Sequence, residues 1–116
     1  MNIVIVCLAS SSYDKIIGDV EQLDGGDFYI KNPYNLFSYT TRTELENFNS
    51  ERESDFFDIV NDIKQIGNLI YHTETRFEKF MPESIDEGFI VPSDKVFTMA
   101  EPKTKIKEKY QQLINL

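Results

Sequence analysis

The chain has 116 residues, of which 41% are hydrophobic and 13% aromatic, and it carries a formal net charge of −8 at pH 7. This composition predicts a single globular domain, residues 1–116, and excludes a disordered chain. The acidity argues against direct contact with nucleic acid, because phosphate binding needs clustered Lys and Arg. The single cysteine, Cys7, indicates a reducing compartment, and we expect a cytoplasmic protein without a membrane-spanning segment.

The first two predicted elements are a strand and a helix. Residues 2–8 are continuously apolar and rich in β-branched side chains, which is typical of a strand buried on both faces. Residues 11–24 begin with a Ser and an Asp at capping-box spacing and place apolar side chains at helical intervals. Gly25-Gly26 would end that helix in the usual C-terminal manner.

The middle of the chain predicts two strands, a second helix and a third strand. Residues 27–31 and 36–41 have strand composition on either side of an Asn32-Pro33 turn. Residues 50–66 open with a capping box, follow helical spacing and end before a glycine. Residues 69–79 alternate with a two-residue period, which favours a strand, although a continued helix is the alternative.

The C-terminal part predicts a hairpin and a closing helix. Residues 89–91 and 95–99 flank a turn at 92–94, and residues 103–115 have helical spacing. The inward side chains of that helix would be Ile106, Tyr110, Leu113 and Ile114. The complete order, β-α-β-β-α-β-β-β-α, predicts an α+β fold with about three helices on a mixed or antiparallel sheet.

The strongest functional signal is acidic. Residues 44–62 carry seven acids against one base, Arg52. Four of the acids are spaced 4, 3 and 4 residues apart, namely Glu51, Asp55, Asp58 and Asp62. A helix would align these four carboxylates on one face. Their separation would be about 5–6 Å, similar to that of phosphates along one nucleic-acid strand. The predicted partner-binding residues are Glu44, Glu46, Glu51, Asp55, Asp58 and Asp62.

This acidic face leads to the main functional hypothesis. We interpret the chain as a small, non-enzymatic binding protein that imitates nucleic-acid phosphates and blocks the basic surface of a nucleic-acid-handling partner. Abundant Ile, Asn, Lys, Phe and Tyr suggest an AT-rich genome and favour a phage- or mobile-element-encoded inhibitor. The alternative is an ordinary solvated helix face. A structural or assembly protein that uses an apolar face is a third alternative, and the oligomeric state is left open.

A second candidate site is the segment IVIVCLASSSYDKI around Cys7. A cysteine after the first strand, a hydroxyl-rich turn and a helix N-terminus would suit phosphate binding and a reactive thiolate. Locally the segment resembles the first loop of phosphotransferase-system IIB proteins of the cysteine type and, more faintly, low-molecular-weight protein tyrosine phosphatases. The resemblance implies a phosphoryl-carrying Cys7 with Ser10–Ser12 as the phosphate loop. The chain departs from the phosphatase pattern at Tyr13, where that family has Arg, and a buried, inert Cys7 is the alternative.

The remaining candidates are a histidine and a group of aromatic residues. His72 is the sole histidine, and with one cysteine far away in sequence it gives no metal-ligand spacing, so we expect neither metal nor cofactor. As part of a strand it would share a face with Glu74 and Arg76. The aromatics in the weakly charged segment before the acids would serve either the core or an interface. These aromatics are Tyr29, Tyr34, Phe37 and Tyr39.

Overall fold

The computed structural model of the protein describes residues 1–49 and 57–115. The described chain is mostly antiparallel sheet with one α-helix. Its elements are β1 (Ile3–Leu8), β2 (Lys15–Gln22), β3 (Phe28–Glu44), β4 (Ile59–Ile66), β5 (Leu69–Lys79), β6 (Gly88–Val91), β7 (Val96–Ala100) and α1 (Thr104–Ile114), with short 3-10 turns at Leu45–Asn47 and Ser93–Lys95.

The strands form a curled, half-barrel sheet in the order β4-β5-β3-β2-β1-β7, and β6 also pairs with β3. The long strand β3 links the parts of this sheet. Its first half pairs with β2 on one side and β6 on the other, and its second half pairs with β5. At about 3.3 Å per residue, its 17 residues account for the longest dimension of the molecule, 54 Å.

A β-bulge divides β3 into two halves that face differently. Along β2 the pairing passes from Ile17 to Asp19, whereas along β3 it passes from Tyr34 to Lys31, so β3 carries one extra residue. Asn32 lies inside the bulge with φ at +51°, a conformation that Asn tolerates better than most residues. In a regular strand, residues an even number of positions apart point to the same face. Because one extra residue reverses the alternation, such residues point to opposite faces when the bulge lies between them.

Two hydrophobic cores follow from this reversal, one on each face of the sheet. The helix-side core lies under α1 and consists of Ile3, Ile17, Leu36, Val60, Phe77, Tyr110 and Leu113. The opposite core consists of Val6, Ile16, Val20 and Ile30, with side chains of β6 and β7 packed against it. Neighbouring residues such as Ile16 and Ile17 are therefore both fully buried, in different cores.

Tyr110 of α1 connects the helix to the bulge. Its ring is fully buried, and its hydroxyl donates to the carbonyl oxygens of Lys31 (3.1 Å) and Asn32 (2.9 Å). Burial raises the pKa of Tyr110 well above its usual value. Tyr34 packs edge-on against the same ring, with centroids 6.1 Å apart. The helix is thus held to β3 by apolar contact and by hydrogen bonds to two main-chain carbonyl groups at the bulge.

The prediction of about three helices is wrong, because two of the predicted helices are strands. Residues 15–22 form β2 instead of part of a helix over 11–24. Residues 59–66 form β4 instead of the end of a helix over 50–66, and residues 50–56 lie outside the described part. Strands buried on both faces lose their apolar–polar alternation, so their spacing can resemble that of a helix.

Two glycines that were predicted to end helices lie instead in turns between strands. Gly67 (φ +61°) belongs to the turn between β4 and β5, and Gly26 (φ +93°) to the turn between β2 and β3. A positive φ is needed both at a helix C-terminus and in a tight hairpin turn, so the residue alone does not separate the two.

Of the remaining predicted elements, some are confirmed and others are wrong. The strand at 2–8, the strand at 69–79 and the C-terminal helix are confirmed, and the four predicted inward residues of that helix pack in the helix-side core. The hairpin over 89–99 is wrong, because β6 pairs with β3 and β7 pairs with β1. The two strands predicted around Asn32-Pro33 are one strand with a bulge.

Gly18 of β2 lies where the bulge of β3 comes closest. A Cβ at Gly18 would lie 2.5 Å from Cγ2 of Ile30 and 3.2 Å from the carbonyl oxygen of Lys31. Since Ile30 is fully buried, it has little room to move. We expect Gly18→Ala to lower the free energy of unfolding by about 1–3 kcal/mol, measured by urea denaturation.

The matched control for this change is Gly25→Ala, because a Cβ at Gly25 would meet no atom within 4 Å. We expect that variant to remain within about 0.5 kcal/mol of the parent protein. Equal stabilities of the two variants would contradict the close packing of β2 against the bulge.

Tyr110→Phe tests the hydrogen bonds between helix and bulge. We expect a loss of about 1 kcal/mol in the free energy of unfolding at pH 7, since two carbonyl groups lose their shared donor. The difference in the free energy of unfolding between parent and variant should narrow above pH 10. Tyrosine in the unfolded chain ionises near its ordinary pKa of about 10, whereas the raised pKa keeps Tyr110 protonated in the folded protein, so ionisation at this position destabilises the parent protein and not the variant.

Urea denaturation at pH 7, 9 and 11 measures this difference. A gap between parent and variant that stays constant through pH 11 would contradict the buried, protonated hydroxyl.

Candidate functional site

The predicted acidic residues do not form the expected helical line. Asp62 lies on β4 and Asp58 in the turn before it, while Glu44 ends β3 and Glu46 lies in the following 3-10 turn. Glu51 and Asp55 fall outside the described residues. The argument from helical spacing is therefore lost, because successive residues of a strand alternate between two faces. The role of the six residues in binding a partner stays a prediction.

Asp62 has an internal partner in the structure. Its carboxylate lies 3.3 Å from Nζ of Lys103, just before α1, in a salt bridge that is partly exposed at Asp62 and mostly exposed at Lys103. A second contact joins the turn before β4 to the helix, since Nζ of Lys109 lies 5.5 Å from the centre of the Phe57 ring. Both contacts join α1 to the β4 side of the sheet.

A more distinctive feature is the free edge of β3, formed by residues 37–44. From Tyr34 to Glu44 the strand pairs with β5, but its pairing with β2 stops at Leu36. Among residues 1–49 and 57–115, no strand pairs with that side of β3 beyond Leu36. In an antiparallel pair, every second residue points its N–H and C=O away from the partner, so the free edge presents unpaired main-chain groups.

The chain conformation before β2 explains why this edge is open. β2 begins at Lys15, and the preceding residues turn away, with Tyr13 at φ +48°. The ring of Tyr13 packs edge-on against Phe97 of β7, with centroids 5.3 Å apart. The segment before β2 therefore packs against β7 and does not extend the pairing along β3.

The free edge also carries exposed aromatic side chains. Phe37 is 49% exposed and Tyr39 is 58% exposed. The hydroxyl of Tyr39 donates to the Glu74 carboxylate at 2.9 Å, and this hydrogen bond together with the negative charge raises the pKa of Tyr39. Of the four aromatics predicted for core or interface, Tyr34 joins the helix-side core and Phe37 and Tyr39 face solvent.

A groove lies between the sheet and the start of α1, with a volume of about 470 Å³. Such a volume is within the range of small-molecule sites. Its apolar lining comes from Ile5, Leu36, Val60 and Ile106, one side chain each from β1, β3, β4 and α1.

Hydroxyl groups and lysines complete the lining of this groove. Ser38 and Thr75 join across β3 and β5 at 2.8 Å, and Thr73 next to them pairs with Thr40 at 2.7 Å. In such a pair one hydroxyl donates to the other, so one hydroxyl hydrogen remains for another acceptor. The charged side chains along the groove are Lys15, Lys103, Lys105, Asp62 and Glu101.

The phosphate site predicted around Cys7 is not assembled. The loop after β1 leads into β2, so the helix N-terminus that this prediction required is absent from residues 9–22. The Cys7 thiol is half-buried and donates to the Tyr13 carbonyl oxygen at 3.6 Å. Ser10 and Ser12 donate to the Asp14 carboxylate, whose negative charge opposes a bound phosphate.

His72 also lies in a structural setting. It lies on the same face of β5 as Glu74 and Arg76, as predicted, and one ring nitrogen lies 2.8 Å from Oδ1 of Asn61 on the neighbouring strand β4. β2 and β3 separate it from Cys7 in the sheet. Within the described ranges, no three His, Cys, Asp or Glu side chains come close enough to hold a metal ion.

The sequence matches no protein-family model, and no curated protein is significantly similar to it. In residues 1–49 and 57–115, no helix has the length and apolar character needed to cross a membrane.

Sequence reasoning missed both the groove and the free edge. The groove joins residues from five strands to the start of the helix, and no sequence spacing reports such long-range proximity. The free edge had a partial signal, since residues 38–43 combine strand-forming Tyr and Thr with polar Ser and Arg. Such a composition is typical of a strand that faces solvent.

Proposed function

We propose that the protein is a non-enzymatic binding protein that adds an extended, basic segment of a partner protein to the free edge of β3. The observation that carries this proposal is that residues 37–44 pair on one side only within residues 1–49 and 57–115, while presenting exposed aromatic side chains. Strand addition draws its affinity from main-chain hydrogen bonds and its selectivity from alternate side chains.

The charge distribution supports a basic partner. Residues 1–100 hold eighteen acidic and eight basic side chains. The described strands carry six of each, so the excess of acids lies outside the strands. Glu44 and Glu46 lie at the end of the free edge, next to the segment that holds the other predicted partner-binding acids. An opposite charge on the partner would speed encounter and fix the direction of the added strand.

Exposed aromatics support the same surface. Phe37 and Tyr39 lie on one face of β3, two residues apart, and would contact alternate side chains of an added strand. Tyr39 is held in place by its hydrogen bond to Glu74. Large, fixed aromatic side chains are frequent among the residues that dominate binding energy.

The class of partner follows from the charge. Proteins that handle nucleic acid carry basic, often extended segments, and we expect the partner in that class. The proposal no longer uses the phosphate-like spacing of a helix, because β4 replaces that helix. An inhibitor encoded by a phage or mobile element is one biological setting for such binding.

The test uses a synthetic eight-residue peptide that alternates Lys and Val, with a peptide that alternates Glu and Val as its opposite. Binding is followed by chemical-shift changes of the β3 amides at low and high salt. We expect the Lys peptide to bind, with shifts along residues 37–44, and to weaken as salt screens the charges. The Glu peptide should not bind.

Charge reversal at the edge supplies the matched control. We expect the Glu44→Lys, Glu46→Lys double variant to bind the Lys peptide about tenfold more weakly, the scale of two exposed charge contacts. The Glu21→Lys, Asp24→Lys variant changes the net charge equally at the distant β2–β3 turn and should bind almost as the parent does. If both variants bind the Lys peptide equally weakly, only the net charge of the protein matters, and the free edge is not the binding site.

Proline variants test the main-chain hydrogen bonds. Of Thr40 and Thr41, one amide faces β5 and the other faces the free edge, because adjacent residues alternate. Proline at the outward position removes a donor without breaking the pair with β5. Of the two proline variants, the one that keeps its thermal stability has proline at the outward position, and we expect it not to bind the Lys peptide. Normal peptide binding by that variant would contradict strand addition.

A further inference from the structure

The groove between the sheet and α1 is a second feature that the proposed function does not use. It opens on the helix side of the sheet, with aliphatic side chains from three strands and the helix at its base. Its lining includes hydroxyl groups, of which that of Thr75 is buried, with 7% of the residue exposed. An apolar base with a few polar groups is the usual composition of a small-molecule site.

The lysines of the groove differ in how their charge is balanced. Lys103 is paired with Asp62 across the groove. Lys15 of β2 and Lys105 of α1 also line the groove, and in the described part of the chain neither has a carboxylate within salt-bridge distance. Glu101 contributes one negative charge, so the lining holds three lysines against two acids.

This local balance is opposite in sign to that of the whole protein. The chain carries a net charge of −8, yet the groove lining has one more positive than negative side chain. A positive region within an acidic surface concentrates anions locally and repels cations.

We propose that the groove binds a small amphiphilic anion, an apolar chain or ring that carries one carboxylate or phosphate group. The apolar part contacts Ile5, Leu36, Val60 and Ile106, and the anionic group lies toward Lys15 and Lys105. The Ser38–Thr75 pair donates its remaining hydroxyl hydrogen to a ligand oxygen. The Lys103–Asp62 salt bridge spans the opening between the helix start and β4.

The test compares three probes of equal chain length: octanoate, octanol and octyltrimethylammonium, each below its micelle concentration. Binding is followed by methyl chemical shifts of the four aliphatic residues in a titration of the full chain. We expect saturable shifts in these methyl groups, with octanoate tightest, octanol weaker and octyltrimethylammonium weakest. Equal affinity for octanoate and octyltrimethylammonium, or octanoate shifts outside the groove, would overturn the proposal.

Substitution of the two lysines tests the contact with the anion. In Lys15→Gln, Lys105→Gln, we expect octanoate to bind about tenfold more weakly, the effect of two partly exposed charge contacts. Octanol affinity should not change. Both lysines are exposed, so the fold should tolerate the change.

The control variant is Lys107→Gln, on the same helix but outside the groove lining. We expect octanoate affinity within about twofold of the parent protein, since a distant exposed charge contributes little. If the double variant binds octanoate as the parent does, or if Lys107→Gln weakens it equally, the assigned lysine contacts are wrong. The two sites share Ser38, but Glu44 and Glu46 lie outside the groove lining. Weaker peptide binding in the Glu44→Lys, Glu46→Lys variant would therefore leave octanoate binding unaffected.

Discussion

The hydrogen bonds from the Tyr110 hydroxyl to the carbonyl groups of Lys31 and Asn32 are the interaction on which the rest of the structure depends. They fix α1 against the bulge, and the bulge reverses the faces of β3. That reversal places Ile30 in one core and Leu36 in the other. A single extra residue, held by one buried tyrosine, therefore lets one strand serve both faces of a curled sheet.

The two proposed binding features follow from the same arrangement. β2 departs from β3 after Leu36, which leaves the free edge, and α1 covers one face of the sheet, which leaves the groove beside its first turn. A radius of gyration of 16.1 Å exceeds the roughly 13 Å of a compact chain of this length, in keeping with an elongated molecule. The β3–β5 pair extends beyond the two cores, and its far part exposes side chains such as Phe37 and Tyr39 to solvent.

The sequence allowed part of this account to be predicted. The amphipathic helix at the C-terminus was evident because Ile106, Tyr110, Leu113 and Ile114 share one helical face. The strand at 69–79 was evident from its alternation. β2 and β4 were not, because adjacent buried residues such as Ile16 and Ile17, or Ile59 and Val60, occupy opposite faces and erase the two-residue period.

The functional residues were harder to predict, for a different reason. Acidic residues are visible in any sequence, but a free strand edge depends on where another strand stops, and a groove depends on residues from β1 to α1. Such proximity follows from tertiary structure alone. The same holds for Cys7, whose predicted role required a helix where β2 lies.

Amide hydrogen exchange along β3 tests the central claim, the free edge, most directly. In the isolated protein we expect slow exchange for residues 34–36, which lie between β2 and β5, and alternating slow and fast exchange from residue 37 to residue 44. Uniformly slow exchange across residues 37–44 would mean that the outward amides already have a partner. The free edge and the strand addition proposed for it would then be wrong.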